Sequence, residues 1–369
     1  MRYPSMVSRR LFTIQKLKPV ANALDANHPK QNNPNVIYFG PGLQTPGQID
    51  LKSDQTIYLA GGAVVRGRIS ATGATNIKIT GHGIIDQSLD TRAGGFINLK
   101  NCSNVTIDGP ILFDCLGWCN HLTNCKNVTI SDMKEICWRS NSDGIDIDGG
   151  SDYLIENCYI RNWDDGVVIK SLVWPRPDNA TAQKSLLAPP VHNITVQNCI
   201  FWADMANALE IGYELETDLI DSVTFKNIDI IHALGNNAIS IHNSAHAEVR
   251  NIRYENIRIE DMDPLYCNTD AWPNNGQTPG THVFEIWIGK SEWSKAGGQG
   301  TVRNIYFKNI STTVKSGAQF PFSDIRGFDE NHTIEGVTFE NITLDGEKMK
   351  SVSDAHMNVN SSVKNIMFR

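Results

Sequence analysis

One short unit recurs along almost the whole chain. It is visible as "TNIKITGHGIID", "SNVTIDGPILF", "KNVTISDMKEI", "SDYLIENCYI", "HNITVQNCIF", "DSVTFKNIDI", "RNIRYENIRI", "RNIYFKNIST", "EGVTFENITL" and "KNIMF". Each copy reads as a short strand, a turn and another short strand, because Val, Ile or Phe alternates with Lys, Thr, Arg or Glu in the period-two pattern of a strand with one face in a core. The copies start near Asn76, Asn104, Asn127, Asp152, Asn193, Ser222, Asn251, Asn304, Gly336 and Asn365, mostly about 23 to 32 residues apart. That period is too short for a helix in every unit, and no segment carries a 3.6-residue apolar stripe. A propeller, the main rival for a strand-only repeat, uses blades of about 40 residues or more. The spacing predicts an all-β fold: a right-handed parallel β-helix, a solenoid of about ten coils in which each strand pairs with its counterparts one coil before and after. Asn, Asp and Gly at the turns agree with this, since Asn tolerates a left-handed φ and can stack its amide on the Asn of the next coil.

The coils are expected over residues 36–369, opening with "LKSDQTIYLAGGAVVRGRI". Residues 1–35 read as one strand, "RRLFTIQ", and a polar linker, in keeping with the remnant of a separate β-domain. Two stretches break the register, "SLVWPRPDNATAQKSLLAPP" and the segment from Asp261 to Gly300. In a solenoid such insertions map to surface loops, where Trp174, Trp272, Trp287 and Trp293 would either stack on sugar rings or pack their own loops down.

Composition narrows the partners. A 40% hydrophobic chain of 369 residues can bury a large core, and a net charge of −7 without a basic block speaks against nucleic acid or an anionic membrane surface. No apolar run reaches the roughly 18 residues of a membrane span, and the first fifteen residues lack the apolar core of a secretory signal. The eight cysteines form no pair of CxxC clusters, so no metal or other cofactor is predicted. Contexts such as "KNCSNVTI" and "TNCKNVTI" predict buried thiols at one layer of the core, with room for one disulfide among Cys115, Cys119 and Cys125.

The segment 141–171, "NSDGIDIDGGSDYLIENCYIRNWDDGVVIKS", places Asp143, Asp164 and Asp165 on strands that otherwise read as buried. Equivalent positions on successive coils lie about 4.8 Å apart, so Asp143 and Asp164, about one coil apart in sequence, become near neighbours. Like charges that close push one pKa upward. Glycoside hydrolysis needs both resulting species, a protonated acid for the leaving oxygen and an ionised base for water.

In these residues the chain resembles the polygalacturonase-like glycoside hydrolases, with their pectin-lyase-like right-handed β-helix. The family's Asn-Thr-Asp motif is similar to Asn141-Ser142-Asp143, and its Asp-Asp pair to Asp164-Asp165. The resemblance implies an inverting hydrolase acting on an α-linked polysaccharide or oligosaccharide. Asp164 would be its general acid, with Asp143 and Asp165 activating water, and the protein would be extracellular or periplasmic. Acid and base should then stand about 6.5–9.5 Å apart. Two further motifs depart from the family. Asn207 stands where a Gly-His-Gly strand has its histidine, and Ser240 and His242 replace the Arg and Lys expected to grip a uronate carboxylate. A serine cannot make the bidentate contact of an arginine, and Glu210 and Glu214 add negative charge, so a neutral glycan is favoured. Lys170 keeps contact with an acidic sugar open. Candidate substrate contacts are Asn141, Asp146, Lys170, Asn207, Glu210, Tyr213 and His242, the alternative for Asp146 being a solvent-facing filler. Two other classes compete. A lyase or epimerase would need Ca²⁺ or a basic residue beside the uronate, and a non-catalytic glycan-binding β-helix would need no acid at all.

Overall fold

The computed structural model describes residues 33–173, 188–233, 236–262, 282–294, 298–314 and 323–369. The strand and linker read over 1–35 fall almost wholly outside the described residues, as do Trp174, Trp272 and Cys267. The described residues form 27 strands and no helix. All their pairings are parallel except that of Ile334–Leu344 with Glu347–Lys348. Every strand but Glu347–Lys348 pairs with a strand one repeat away, and the ladders join into a single sheet that wraps around the core. The longest ladder runs from Val36–Phe39 through Thr56–Leu59, Thr75–Gly81 and Ser103–Asp108 to Val363–Phe368 and has twelve rungs. Its first two rungs precede Asn76, lack the Asn turn, and so escaped a repeat count based on that turn.

The turn residues hold the coils in register. All ten repeat starts, Asn76 through Asn365, have φ between 53° and 71°. There Asn pays less than most residues for the left-handed conformation, because its amide finds partners nearby. The Asn104 amide donates to Asn76 Oδ1 at 3.0 Å and that of Asn127 to Asn104 at 2.7 Å. A second ladder, not separated in the sequence reading, runs through Asn198, Asn227, Asn256, Asn309 and Asn341 with donor distances of 3.2, 3.0, 2.9 and 2.8 Å. Inside, one ring per coil stacks: Phe225, Tyr254, Phe307, Phe339 and Phe368 follow one another at 5.0, 5.0, 4.9 and 5.1 Å between centroids.

The described cysteines are buried free thiols, so no disulfide joins Cys115, Cys119 and Cys125. Cys115 and Cys119 donate instead to the Gly117 carbonyl at 3.2 and 3.7 Å. The register predicted for the thiols holds in pairs: Cys102 faces Cys125, and Cys158 faces Cys199, on neighbouring coils. Trp287 is buried, edge-on to Tyr213 and His242, rather than on a rim loop.

Candidate active site

One ladder positions the site: Asn120–Ser131, Ile145–Glu156, Val167–Ser171, Leu209–Leu215, Asn237–Asn243 and His282–Ile288. Ile145 pairs with Val167, Val167 with Leu209, and Leu209 with Ile239. Counting two residues back from each puts Asp143, Asp165, Asn207 and Asn237 at one position on four successive coils. Asp165 is therefore the residue stacked on Asp143, and Asp164 projects one place earlier. The coils approach closely here. A Cβ on Gly144 would lie 2.3 Å from the Gly166 carbonyl, and one on Gly166 2.4 Å from that of Ala208. Glycine after Asp143 and after Asp165 is what lets the two carboxylates stack.

The stacked row is tied together laterally. The Asn207 N–H and Nδ2 both donate to Asp165 Oδ1, at 3.0 and 2.8 Å, and Asn237 repeats the pattern on Asn207 Oδ1 at 3.3 and 2.9 Å. Asn162 Nδ2 donates to the carbonyls of Ser142, Asp164 and Asp165, which fixes the turn carrying the Asp pair. One oxygen each of Asp143, Asp164 and Asp165 lies within 4.8 Å of the others. Asp143 Oδ2 accepts from Lys170 at 2.8 Å, and Asp143 Oδ1 is buried without a hydrogen-bond partner among the described residues. Burial, reinforced by Asp143 and Glu214, pushes the half-buried Asp164 up to about 7. Burial and then Asp164, Glu210 and Asp143 push Asp165 well above the usual carboxylate range. The cluster can thus hold a proton at neutral pH.

These residues open into a cleft of ≈ 160 Å³ that is also lined by Trp118, Trp163, Tyr213, Glu214, Asn236 and Trp293. Asn141, Lys170, Asn207 and Tyr213, all expected to meet substrate, line it. Asp146, Glu210 and His242 do not: each is fully buried behind the wall. The physical reason is that outward-facing side chains of this ladder bond to their neighbours on adjacent coils. Asp146 is 3.1 Å from Lys170 Nζ. Ser240 donates to Glu210, and His242 bridges Glu210 Oε1 and Glu285 Oε2 at 2.9 Å each. Burial opposes a charged ring there, but Glu210 and Glu285 outweigh it and hold His242 up at about 10. Tyr213 stacks on that imidazole at 4.3 Å and 13°, so the buried triad carries an aromatic cleft wall.

Sequence reasoning missed Trp118, Trp163, Asn162 and Glu285. The register would have pointed to Glu285, which pairs with Ser240 one coil on. A second buried group, Cys119, Glu135 and Cys137, brings three potential ligand atoms within 4.8 Å. Burial pushes the Glu135 carboxyl well up, and the hydrogen bond that Asn120 donates to it at 2.7 Å opposes that push.

Comparison with known proteins accords with this architecture. The "Probable endopolygalacturonase D" of Neosartorya fischeri is 26% identical over 195 residues, a match covering 48% of this chain and only 36% of that relative. Among solved structures, the exopolygalacturonase of Thermotoga maritima superposes with a TM-score of 0.65 at 18% identity, covering 90% of this chain and 84% of that one. The polygalacturonase of Erwinia carotovora superposes with a TM-score of 0.58 at 17% identity, covering 88% and 89%. These likenesses show the fold, a right-handed parallel β-helix. The family model described as "Glycosyl hydrolases family 28" matches residues 43–363, and the chain belongs to that family.

Proposed function

We propose that this protein hydrolyses an α-linked polysaccharide or oligosaccharide with inversion, and that its substrate is a neutral glycan rather than unsubstituted polygalacturonate. The observation that carries the reading is the convergence of Asp143, Asp164 and Asp165 in one cleft, with Asp164 pushed up to about 7. Below that pH Asp164 keeps its proton and can deliver it to the leaving oxygen. Asp143 is the better placed base. Its carboxyl lines the cleft, with Oδ2 accepting from the Lys170 ammonium and Oδ1 committed to no described neighbour. Water gives its oxygen to the anomeric carbon and a proton to Asp143 as the glycosidic C–O bond breaks. Asp165, tied to Asn207, orients that water.

Inversion is supported by the motif resemblance and by family membership. The carboxylate spacing does not add to it, since oxygens within 4.8 Å stand closer than the expected 6.5–9.5 Å. Neutral substrate preference is supported by aromatic walls, by Glu214 in the cleft, and by a Lys170 ammonium already engaged by two carboxylates. The test is product release from a panel of neutral and acidic polysaccharides by the native chain and by Asp164→Asn. We expect release from a neutral glycan, loss of about 100-fold or more in the variant, and a first-formed anomer of inverted configuration by NMR. Equal release by the variant would remove Asp164 from the mechanism, and release only from a uronate polymer would overturn the substrate reading. Affinity without release would favour a binding β-helix.

A further inference from the structure

Lys170 lines the cleft beside Asp143, Asp164 and Asp165. It lies in the strand Val167–Ser171, opposite Asp148 in register, and is 4% exposed. Its Nζ is 2.8 Å from Asp143 Oδ2, 3.1 Å from Asp146 Oδ1 and 3.9 Å from the centre of the Trp118 ring. Two carboxylates and an aromatic face occupy the ammonium, leaving little of it for a sugar carboxylate. Asp146 is fully buried, and its Oδ2 has no hydrogen-bond partner among the described residues. Burial pushes the Asp146 carboxyl well above the usual range and Lys170 opposes that push, so the 3.1 Å contact, rather than an isolated charge, seats the ammonium.

We propose that Lys170, seated on Asp146 and Trp118, is a positioning residue that fixes the Asp143 carboxylate in the cleft and places a buried positive charge beside the cluster of Asp143, Asp164 and Asp165. The charged groups around it come from every neighbouring element. Asp143 stands on the turn before Ile145–Glu156, Asp146 within that strand, Asp164 and Asp165 on the turn before Val167–Ser171, and Glu214 on Leu209–Leu215. Glu135 lies behind Asp143, and Glu210 behind Asp165. Burial alone would favour neutral lysine, but Asp143, Asp146, Glu214 and Asp165 hold it charged. Lys170 in turn restrains the upward push on Asp164.

The kinetic consequence rests on the hydrolytic reading, whereas the protonation consequence does not. In protein labelled with carboxyl-¹³C aspartate, the Asp164 resonance is identified by its loss in Asp164→Asn and titrated without substrate. Its midpoint should lie near 7 in the native chain. In Lys170→Met it should move up by about one pH unit or more, and in Lys170→Arg it should stay close to native. On a cleaved glycan, Lys170→Met should lose kcat on the order of a hundredfold with KM changed less than about threefold. An unmoved Asp164 midpoint in a variant whose near-ultraviolet circular dichroism is native overturns the proposal, whether or not any glycan is cleaved. A raised KM with kcat kept also overturns it, because Lys170 would then grip the substrate. If Lys170→Met does not fold, Lys170→Gln, which keeps a donor without the charge, is titrated in its place against the same two outcomes.

Discussion

His242 is fully buried, and the ring of Tyr213 in the cleft wall stacks on its imidazole at 4.3 Å. Its place in the sequence, where the resemblance implies a lysine for substrate, predicts a residue in the cleft. In the fold it lies between Glu210 and Glu285, whose nearest oxygens are 2.9 Å away on either side. Linkage gives the pH window. Raised from 6.5 to about 10, His242 contributes stability that is fully present below 6.5 and lost as pH rises through about 10. Burial would raise Glu285, but His242 and Asn237 hold it down from 4.5 to about 2. Its contribution is present above 4.5 and lost as pH falls through about 2. Thermal unfolding should therefore show a fall in Tm between pH 6.5 and 10 that is absent in His242→Gln. That variant leaves two carboxylates without their buried cation and should lose about 3–5 kcal/mol at pH 6 by urea denaturation. For activity, the raised Asp164 predicts kcat/KM lost as pH rises through about 7.

At the scale of the element, a coil is defined by its turns and by how closely it meets the next. Asn309 has φ 52°, donates to Asn256 and accepts from Asn341. Asn309→Ala removes both amide bonds and puts a Cβ residue without compensation in the left-handed region, so a loss of about 1–2 kcal/mol is expected. Asn309→Gly keeps the conformation and should lose less, with the difference read from urea midpoints. Gly166 tests the approach of coils at the site. Its Cβ would meet the Ala208 carbonyl, which is backbone and cannot swing away. Gly166→Ala should cost about 1–3 kcal/mol in stability and reduce turnover more than Asn309→Ala, because it spreads the coils that stack Asp165 on Asn207. The Asn ladders were legible because repetition advertises them. The glycines after Asp143 and Asp165 were not, because Gly in a turn-rich chain carries no label saying whether it serves a turn or a close approach.

At the scale of the molecule, charge and shape act together on substrate choice. The chain carries −7 overall, and Asp143, Asp164, Asp165 and Glu214 line the cleft around one engaged ammonium. Raising sodium chloride from about 0.02 to 0.3 M should leave kcat/KM for a neutral glycan nearly unchanged, while any action on a uronate polymer should increase as repulsion is screened. Equal salt responses would argue against an electrostatic basis for the preference. The sequence by itself determined the repeat, the parallel all-β architecture and the grouping of Asp143 with Asp164 and Asp165, because period and spacing become stacking once coils are about 4.8 Å apart. Only the tertiary structure decided that Asp165 rather than Asp164 lies over Asp143, that Glu210, His242 and Asp146 sit behind the cleft, and that Trp118 and Trp163 face it. Those outcomes depend on which neighbour on the next coil satisfies each polar side chain, a pairing between residues some 20 to 50 positions apart that no local pattern records.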